Sequence, residues 1–322
     1  MDAICFGSIV VDHRRAAGAA GTGDAPLRTV GKAVDLHVGG IPILAAALQR
    51  MGFDVALMGC VGRDIAGYGL RAYLAEEAGL NVEAVRTIDA PTSSSFIRLT
   101  QEQRYVDHTP GASAELLPGD SEMAFVARHK PALLAIGYAG LLRRMDADGG
   151  RAMAEWIAAV QEHGTIVALD THTVPPYAML QKPVPAADIF ICNKEEGAGI
   201  TGLRAGSPDE IVWAMWSQFR AADPSRYRLL GLAMPEGAQL AYGRHETLAN
   251  EWIPNHDYGT FTPTDLTGAG DNFRAGVYAE VITQRVGFCA GRLDLSRAGQ
   301  AGHKAACRYL QGAVWPAPDR TG

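Results

Sequence analysis

The sequence predicts a three-layer α/β/α sandwich with a mostly parallel central sheet, and two observations support this fold class. Apolar segments of strand length alternate with segments of helical periodicity along most of the chain, which is typical of parallel sheets covered by helices on both faces. With 322 residues, 48% of them hydrophobic, the chain can also bury the large core that such a sandwich needs. We therefore expect one domain spanning residues 1–322, interrupted by inserted segments at about 13–38 and 92–110.

The individual elements follow from local patterns. Strands are predicted at the apolar segments 3–6, 55–60, 132–136, 165–169, 188–192, 229–233 and 239–242. Helices are predicted at 45–52, 149–162, 208–220, 271–282 and 295–309. Residues alternate in polarity over 92–106 around a turn at 101–103, which indicates a β-hairpin. The Ala- and Gly-rich segment 14–37 is either part of the same inserted structure or a surface loop.

Composition and charge restrict the class of protein. No uncharged apolar run reaches transmembrane length, and the N-terminus lacks a basic segment ahead of an apolar one, so we expect a cytoplasmic protein that does not associate with membranes. The five cysteines are scattered, without a Cys-x-x-Cys pair or a zinc-type cluster, and reduced thiols are expected. A net charge of −6 disfavours nucleic acid as a partner.

The segment 265–276 carries the clearest chemistry, reading Asp-Leu-Thr-Gly-Ala-Gly-Asp-Asn-Phe-Arg-Ala-Gly. The small residues Gly268, Ala269 and Gly270 precede a helix predicted to begin at Asp271, so free backbone N–H groups would form an anion site. Asp271 would repel a bound phosphate, but it suits the removal of a proton from a hydroxyl group that attacks that phosphate. The segment therefore indicates phosphoryl transfer with Asp271 as the general base.

Two plainer interpretations of this segment exist. Gly-x-Gly at a helix start also occurs in dinucleotide-binding turns, but Phe273 stands where the third glycine of that motif belongs. Alternatively, Asp271 is an ordinary helix cap and the glycines form a tight turn. The choice between a cap and a catalytic group depends on the rest of the chain.

Five segments, in order along the chain, resemble motifs of the PfkB, or ribokinase-like, family of small-molecule kinases. The segment 265–276 matches Asp-Thr-x-Gly-Ala-Gly-Asp-x-Phe-x-x-Gly except at Leu266. Residues 4–12 resemble the family's first strand and its aspartate, and Gly39-Gly40 followed by a helix resembles its first signature. Residues 61–67 match Val-Gly-x-Asp-x-x-Gly, and residues 193–196 match Asn-x-x-Glu. The likeness spans about residues 2–314 and implies a ribokinase-like fold.

The resemblance implies substrate contacts near the N-terminus. Asp12, expected at the carboxyl end of the first strand, would accept hydrogen bonds from sugar hydroxyls, and Gly39 and Gly40 would let the substrate approach the backbone. The plainer interpretation of Asp12 is a turn-stabilising side chain, and that of the two glycines is a simple strand-to-helix turn. The inserted segments would form a small β lid that often mediates dimerisation in the family, so a homodimer through the lid is expected.

The resemblance also implies a nucleotide site. Asn193 and Glu196 would organise Mg²⁺ and its waters around the phosphates of ATP, although the same residues are also an ordinary polar helix start. Gly237 is the one surviving glycine of the nucleotide segment. Asp265 and Thr267 would belong to a loop that binds a monovalent cation such as K⁺ in some members.

The chain departs from the family pattern at positions that touch substrate and nucleotide. Leu44 stands where the family has a sugar-binding asparagine, and Leu232 stands where it has a phosphate-contacting threonine. Loss of a hydrogen-bonding side chain changes which hydroxyls a site can recognise. His108 and His172 are expected in loops as ordinary surface or hydrogen-bonding residues, outside the catalytic set.

The sequence thus predicts an ATP- and Mg²⁺-dependent kinase that phosphorylates a hydroxyl, most simply a primary alcohol, of a small sugar or sugar derivative. Residues 102–114 resemble the lid segment of ribokinase- and fructokinase-type members. A nucleoside kinase is the alternative, because Leu44 and the apolar residues 41–43 suit a base. A non-catalytic regulator on the same fold is a third hypothesis, suggested by the altered nucleotide segment.

Overall fold

The computed structural model describes residues 1–15, 35–99, 104–172, 175–245, 247–263 and 266–312. Within these ranges the strands are β1 (Ala3–Gly7), β2 (Ile9–Arg15), β3 (Asp35–Gly40), β4 (Val55–Gly62), β5 (Asn81–Ile88), β6 (Ser93–Leu99), β7 (Arg104–Thr109), β8 (Leu133–Ala139), β9 (Ile166–Thr171), β10 (Ile189–Asn193), β11 (Arg228–Met234), β12 (Gly237–Arg244) and β13 (Thr247–Pro254).

The helices of the same ranges are α1 (Pro42–Arg50), α2 (Ile65–Glu76), α3 (Gly111–Ala114), α4 (Asp120–His129), α5 (Arg143–Gln161), α6 (Tyr177–Leu180), α7 (Pro183–Ala186), α8 (Lys194–Thr201), α9 (Pro208–Gln218), α10 (Ala269–Thr283), α11 (Arg285–Cys289) and α12 (Leu295–Leu310). Among these described helices, none combines the length and the apolar character needed to cross a bilayer.

The main sheet has nine strands in the order β13-β12-β11-β10-β9-β8-β1-β4-β5. The strands from β5 to β11 in this order pair in parallel, and β12 and β13 extend that edge in antiparallel fashion. The parallel strands in the middle of the sheet are apolar and buried throughout, as expected when helices cover both faces. The predicted fold class is confirmed.

Two apolar clusters lie on opposite faces of this sheet and create the three layers. Along β1, Ala3 and Cys5 pack into one cluster with α1, α10 and α12, whereas Ile4 and Phe6 pack into the other with α4, α5 and α9. This division follows from the alternation of side chains along a strand. The carboxyl ends of the parallel strands therefore lie together at one edge, where ligands of such sheets bind.

A second, four-stranded sheet forms the lid in the order β3-β2-β6-β7. Its β6 and β7 pair in antiparallel fashion, so the predicted hairpin is confirmed; its turn, with residues 101–103, and the segment 16–34 lie outside the described residues. Leu36, Phe96 and Tyr105 are exposed on this sheet. A homodimer through the lid stays a prediction, which sedimentation velocity tests.

Some element boundaries differ from the sequence prediction for local reasons. Strands β5 and β13 were not predicted, because both lie at edges of the main sheet and carry mixed polar and apolar residues rather than apolar runs. Helix α5 begins at Arg143 rather than at 149, and non-helical backbone at residues 147–150 interrupts it. Helix α10 begins at Ala269, two residues earlier than predicted.

The junction between the lid and α1 depends on Gly40, and we expect Gly40→Ala to destabilise the protein by roughly 3 kcal/mol or more. Gly40 has φ of 83°, and a Cβ atom there would overlap the carbonyl oxygen of Ser8. Gly52→Ala is the matched control, because Gly52 has φ of 92° but a Cβ atom there would meet no other atom within 4 Å. This control therefore carries only the backbone strain of about 1 kcal/mol.

Urea unfolding of both variants measures the difference. Equal losses of stability in the two variants would show that the contact with Ser8 relaxes and that only the backbone conformation matters.

Candidate active site

A cavity of about 770 Å³ lies between the carboxyl ends of the parallel strands and the lid. Residues at the ends of four neighbouring strands line one side of it: Tyr138 of β8, Thr171 of β9, Asn193 of β10 and Met234 of β11. Lid strands β2, β6 and β7 line the opposite side, and the start of α10 closes a third side. The volume falls in the usual range of small-molecule sites.

The start of α10 has free backbone N–H groups, as the sequence predicts, but they belong to different residues. Gly268 is the N-cap with φ of 85°. The first intrahelical bond runs from the N–H of Asn272 to the Gly268 carbonyl at 3.0 Å, so the N–H groups of Gly270 and Asp271 have no acceptor within the helix. The N–H of Ala269 donates to the Leu266 carbonyl at 3.1 Å.

Ala269 was therefore wrongly predicted as a donor to a bound anion in this structure. The physical reason is the earlier helix start, which makes Ala269 the first helical residue and folds its N–H back into the preceding turn. The N–H of Asp271 takes the corresponding place in the first turn. The helix-cap interpretation of Asp271 also fails, because the cap is Gly268 and no side chain caps this helix.

The carboxylate of Asp271 is buried inside the cavity wall but has defined partners. Its Oδ1 lies 3.1 Å from Nη2 of Arg274, and its Oδ2 lies 3.4 Å from the hydroxyl of Tyr138. Burial, and then the charge of Asp271, raises the pKa of Tyr138 well above its usual value, so that this hydroxyl stays protonated and can donate. Asp271 thus lies at the cavity surface with its orientation held by two donors.

Tyr138 was not singled out from the sequence, and its backbone conformation is unusual. It has φ of 71°, a conformation that costs free energy for a bulky side chain and concentrates at functional sites. Its N–H donates to Oδ1 of Asp170 at 2.9 Å. Its ring stacks on His172 with centroids 4.8 Å apart, so His172 lines the cavity too. The sequence signal that could have pointed to this part of the site is Asp170, a single acidic residue near the end of an apolar strand.

Asp12 lies in the lid and not at the carboxyl end of the first strand, where it was predicted. The chain leaves the main sheet at Ser8, and Asp12 sits within β2, opposite His37 of β3. Its side chain is buried and lines the cavity. A Cβ atom on Gly39 would lie 2.6 Å from both carboxylate oxygens of Asp12, so Gly39 makes room for this carboxylate.

Two further lid residues face the cavity. The Oγ atom of Ser95 lies 3.1 Å from Nδ1 of His108, and both residues line the cavity. His108 is a hydrogen-bonding residue, as expected, but it is on β7 and not in a loop, so its predicted placement was wrong. Burial lowers its pKa. The pairing of β6 with β7 places His108 beside Ser95. The alternation of polarity along the hairpin is the sequence signal that one face of it is turned inward.

Asn193 and Glu196 line the cavity and also cap α8. Oδ1 of Asn193 accepts from the N–H of Glu196 at 2.7 Å, and Oε2 of Glu196 accepts from the N–H of Asn193 at 3.1 Å. The polar helix start of the plainer interpretation is therefore present, and it takes the form of a capping box. Burial raises the pKa of Glu196 to about 7, because it outweighs the hydrogen bond from Asn193 and the charge of Arg274, which both lower it.

This environment fits Mg²⁺ bound together with a nucleotide. A buried carboxylate facing a cavity gains from a nearby cation, and oxygen atoms are the ligands that Mg²⁺ prefers. Among the described residues, no group of three or more His, Cys, Asp or Glu side chains is arranged to hold a metal by itself. Glu196 would therefore act with waters and phosphates rather than within an all-protein site, as is usual for this ion.

The remaining predicted residues divide between the cavity and the core. Thr267 is buried and lines the cavity, whereas Asp265 lies outside the described residues. Gly237 does not line the cavity; a Cβ atom there would overlap the ring of Trp252, which explains the glycine by packing. Met234 and Pro235 line the cavity on that side instead.

Leu44 and Leu232 were both expected to face a ligand, and both lie in the core. Each is fully buried, Leu44 in one apolar cluster and Leu232 in the other. Ile43 is the residue of the 41–44 segment that lines the cavity. Helix α1 begins at Pro42, and the direction of side chains around that first turn decides which residue faces inward.

The raised pKa of Glu196 predicts pH-dependent stability of the ligand-free protein. Because the folded carboxyl titrates near 7 rather than at its ordinary 4.5, its contribution to stability is complete below pH 4.5 and is lost as pH rises through 7. We expect Glu196→Gln to stabilise the protein by roughly 1–3 kcal/mol at pH 8 and by much less at pH 5. Urea unfolding at both pH values measures this.

Glu195→Gln is the matched control, because Glu195 is the exposed neighbour in the same helical turn. It should change stability little at either pH. A stability change in Glu196→Gln that is the same at pH 5 and pH 8 would contradict the prediction.

The fold and the cavity together define a kinase of the ribokinase-like class, in which a small β lid and the strand ends of an α/β/α sandwich enclose a carboxylate at a glycine-rich helix start. The chain belongs to the pfkB family of carbohydrate kinases, whose family model matches residues 2–219. The matched range ends before α10, so Asp271 and the glycines that precede it lie outside it.

One curated protein is similar to most of this chain. The bifunctional protein HldE of Bradyrhizobium diazoefficiens is 24% identical over 284 residues, which are 83% of this chain and 53% of that protein. The chain thus spans about half the length of this curated relative.

Two solved structures share the fold across nearly the whole chain. A fructokinase with bound ATP from Xylella fastidiosa has a TM-score of 0.70 and 20% identity, covering 95% of this chain and 90% of its own. An adenosine kinase from Schistosoma mansoni in complex with 2-fluoroadenosine has a TM-score of 0.73 and 16% identity, covering 99% and 97%. At these identities the likeness shows the fold alone.

Proposed function

We propose that the protein transfers the γ-phosphoryl group of ATP to a hydroxyl, most simply a primary alcohol, of a small sugar or sugar derivative. The observation that carries this proposal is the carboxylate of Asp271, which lies inside the cavity beside N–H groups of the same helix start. A base and anion-stabilising donors at one point are what transfer of a phosphoryl group to an alcohol requires.

The reaction assigns a task to each group. Asp271 takes the proton of the acceptor hydroxyl as its oxygen attacks, and the hydroxyl of Tyr138 keeps the carboxylate oriented. The N–H groups of Gly270 and Asp271, with Gly268 as the cap, stabilise the negative charge on the transferred group. Mg²⁺ bound with ATP supplies charge neutralisation of the phosphates, and Asn193 and Glu196 are the residues that would hold it with its waters. For a cation bound near Thr267, K⁺ is the candidate.

Polar side chains at the lid end favour a polyhydroxylated acceptor. Asp12, Ser95 and His108 all line that end of the cavity, and together they offer one carboxylate, one hydroxyl and one imidazole for hydrogen bonds. An acceptor without the matching hydroxyls would lose these hydrogen bonds, which is how polar sites reject analogues.

One observation favours a nucleoside as the alternative acceptor. Tyr138 and His172 stack on one another and both line the cavity, so an aromatic face is available to a base, with Ile43 as an apolar neighbour.

The test is ADP formation from ATP with Mg²⁺ and K⁺ across matched panels of pentoses, hexoses, ketoses, sugar acids, deoxy and amino sugars, and nucleosides. Acceptor-dependent turnover with a sugar supports the proposal, and turnover confined to nucleosides supports the alternative. A folded protein that is stabilised by an acceptor in thermal unfolding but never consumes ATP would contradict both and indicate a ligand-binding regulator.

A further inference from the structure

Arg274 is a buried charge in the cavity wall that the proposed reaction leaves without a task. It lies one helical turn after Asp271 in α10 and lines the cavity. Its Nη2 lies 3.1 Å from Oδ1 of Asp271, and its Nε lies 3.2 Å from Oδ2 of Asp170. The guanidinium therefore bridges the predicted base and a second carboxylate from the end of β9.

The guanidinium also lies against the anion site itself. A Cβ atom on Gly270 would be 3.7 Å from Nη2 and 3.9 Å from Nη1 of Arg274, which is ordinary van der Waals contact. Side chains on a helix lean toward its N-terminus, and this brings the cation of Arg274 beside the free N–H groups of the first turn. One corner of the cavity thus combines N–H donors and a guanidinium.

The position of the Arg274 guanidinium at the start of α10 carries an electrostatic cost. A cation at the N-terminus of a helix opposes the helix dipole, so Arg274 is held there at a cost that its carboxylate partners must offset. Burial disfavours the charged guanidinium, but Asp170 and then Asp271 outweigh this and hold the pKa of Arg274 well above its usual value. The side chain is therefore a fixed positive charge.

The donors of the guanidinium are not used up by its two partners. Nη2 donates to Asp271, and the buried Nε forms an ion pair with Asp170. A guanidinium carries five N–H groups. It can therefore donate to phosphoryl oxygens while it keeps its contact with Asp170.

We propose that Arg274 is a catalytic residue that donates hydrogen bonds to the transferred phosphoryl group, with Asp170 as the positioning residue that holds it beside Gly270. This inference rests on the proposed function. Arg274 makes and breaks no covalent bond: the acceptor oxygen forms the new bond to phosphorus, the bond to the departing ADP oxygen breaks, and the acceptor proton goes to Asp271. The guanidinium stabilises the charge on the three remaining phosphoryl oxygens, as arginines do in other phosphoryl transfers.

Kinetics and nucleotide binding test the proposal separately. Arg274→Met should lower kcat by about 10²-fold or more, with less than about a threefold change in the KM of the acceptor. Arg274→Lys should recover part of this loss, because a single ammonium lacks the planar donor fork. The preference for a non-hydrolysable ATP analogue over ADP, measured by calorimetry without acceptor, should fall about tenfold in Arg274→Met.

Two further variants control for structure. Arg274→Met combined with Asp170→Asn removes the carboxylate that would otherwise be left buried and unpaired, and it should fold while remaining as inactive as the single variant. Arg297→Met removes an arginine that pairs with Glu280 outside the cavity, and its kcat and nucleotide preference should match the wild type.

The outcomes separate this inference from the proposed function. If a folded Arg274→Met variant keeps a kcat within about threefold of the wild-type value, the inference is overturned and the proposed kinase function stands. No turnover in the wild type, with an ATP-over-ADP preference that Arg274→Met abolishes, would overturn the proposed acceptors while supporting the contact to the phosphoryl group. Equal preference in wild type and variant would overturn the inference in either case.

Discussion

Asp271→Asn should lower kcat by about 10³-fold while the KM values of ATP and the acceptor change little, because a general base contributes roughly 10²–10⁴-fold to such reactions. Asparagine has the same shape as aspartate. Its single carbonyl oxygen can still accept from Arg274, and its amide N–H can donate to the hydroxyl oxygen of Tyr138, so the helix start and the cavity should be preserved. The loss is therefore expected in the chemical step and not in binding. Initial-rate kinetics with saturating nucleotide measures it.

Asp294→Asn provides the matched control. Asp294 caps α12 by accepting a hydrogen bond from the N–H of Arg297 at 2.9 Å, and it does not line the cavity. Asparagine is also a good helix cap, so this variant should keep wild-type kinetics. An Asp271→Asn variant that retains a tenth or more of the wild-type kcat would show that another group takes the proton.

Asp12→Ala should lower kcat/KM for the acceptor by about 10²-fold, chiefly through KM. Asp12 is a buried carboxylate on the lid face of the cavity, and hydrogen bonds between a charged group and a ligand contribute roughly 1.5–3 kcal/mol each. The KM of ATP should change little, because Asp12 belongs to the lid sheet rather than to the strand ends beside Asn193 and Met234.

Asp35→Ala is the control for charge on the lid. Asp35 is an exposed residue of β3, in the same sheet, and does not line the cavity. Deoxy analogues sharpen the test: an analogue that lacks the hydroxyl bound by Asp12 should be a poor substrate for the wild type yet lose little further in Asp12→Ala. Equal losses with every analogue would show that Asp12 supports the lid and does not contact the acceptor.

Much of the fold was predictable because its elements are local. The central strands are continuous apolar runs, and a run such as Leu133–Ala139 can be predicted as a strand without knowledge of its neighbours. Strands β5 and β13 escaped prediction because edge strands need not be apolar on both faces. The start of α10 was predicted two residues too late. Glycine has a low helix propensity, so Gly268 and Gly270 did not indicate a helix before Asp271.

The candidate site was predictable only in part. The residues that occur in contiguous motifs, such as Asp271 and Glu196, lie in the cavity. Leu44 and Gly237 were matched by position in a motif, yet packing directs the first into the core and leaves the second beside Trp252. Arg274 was passed over because the family pattern leaves its position variable.

By itself the sequence determined the order of strands and helices, the family, and the glycine-rich segment with its carboxylate, because each of these depends on residues that are neighbours in the chain. The tertiary structure alone decided which distant side chains share the cavity. The chain passes from the main sheet to the lid at Ser8, and this places Asp12 of β2 in the lid. The packing of α10 against the main sheet places Asp170 of β9 beside Arg274. Contacts between segments more than a hundred residues apart depend on how helices and strands pack, which no local pattern records.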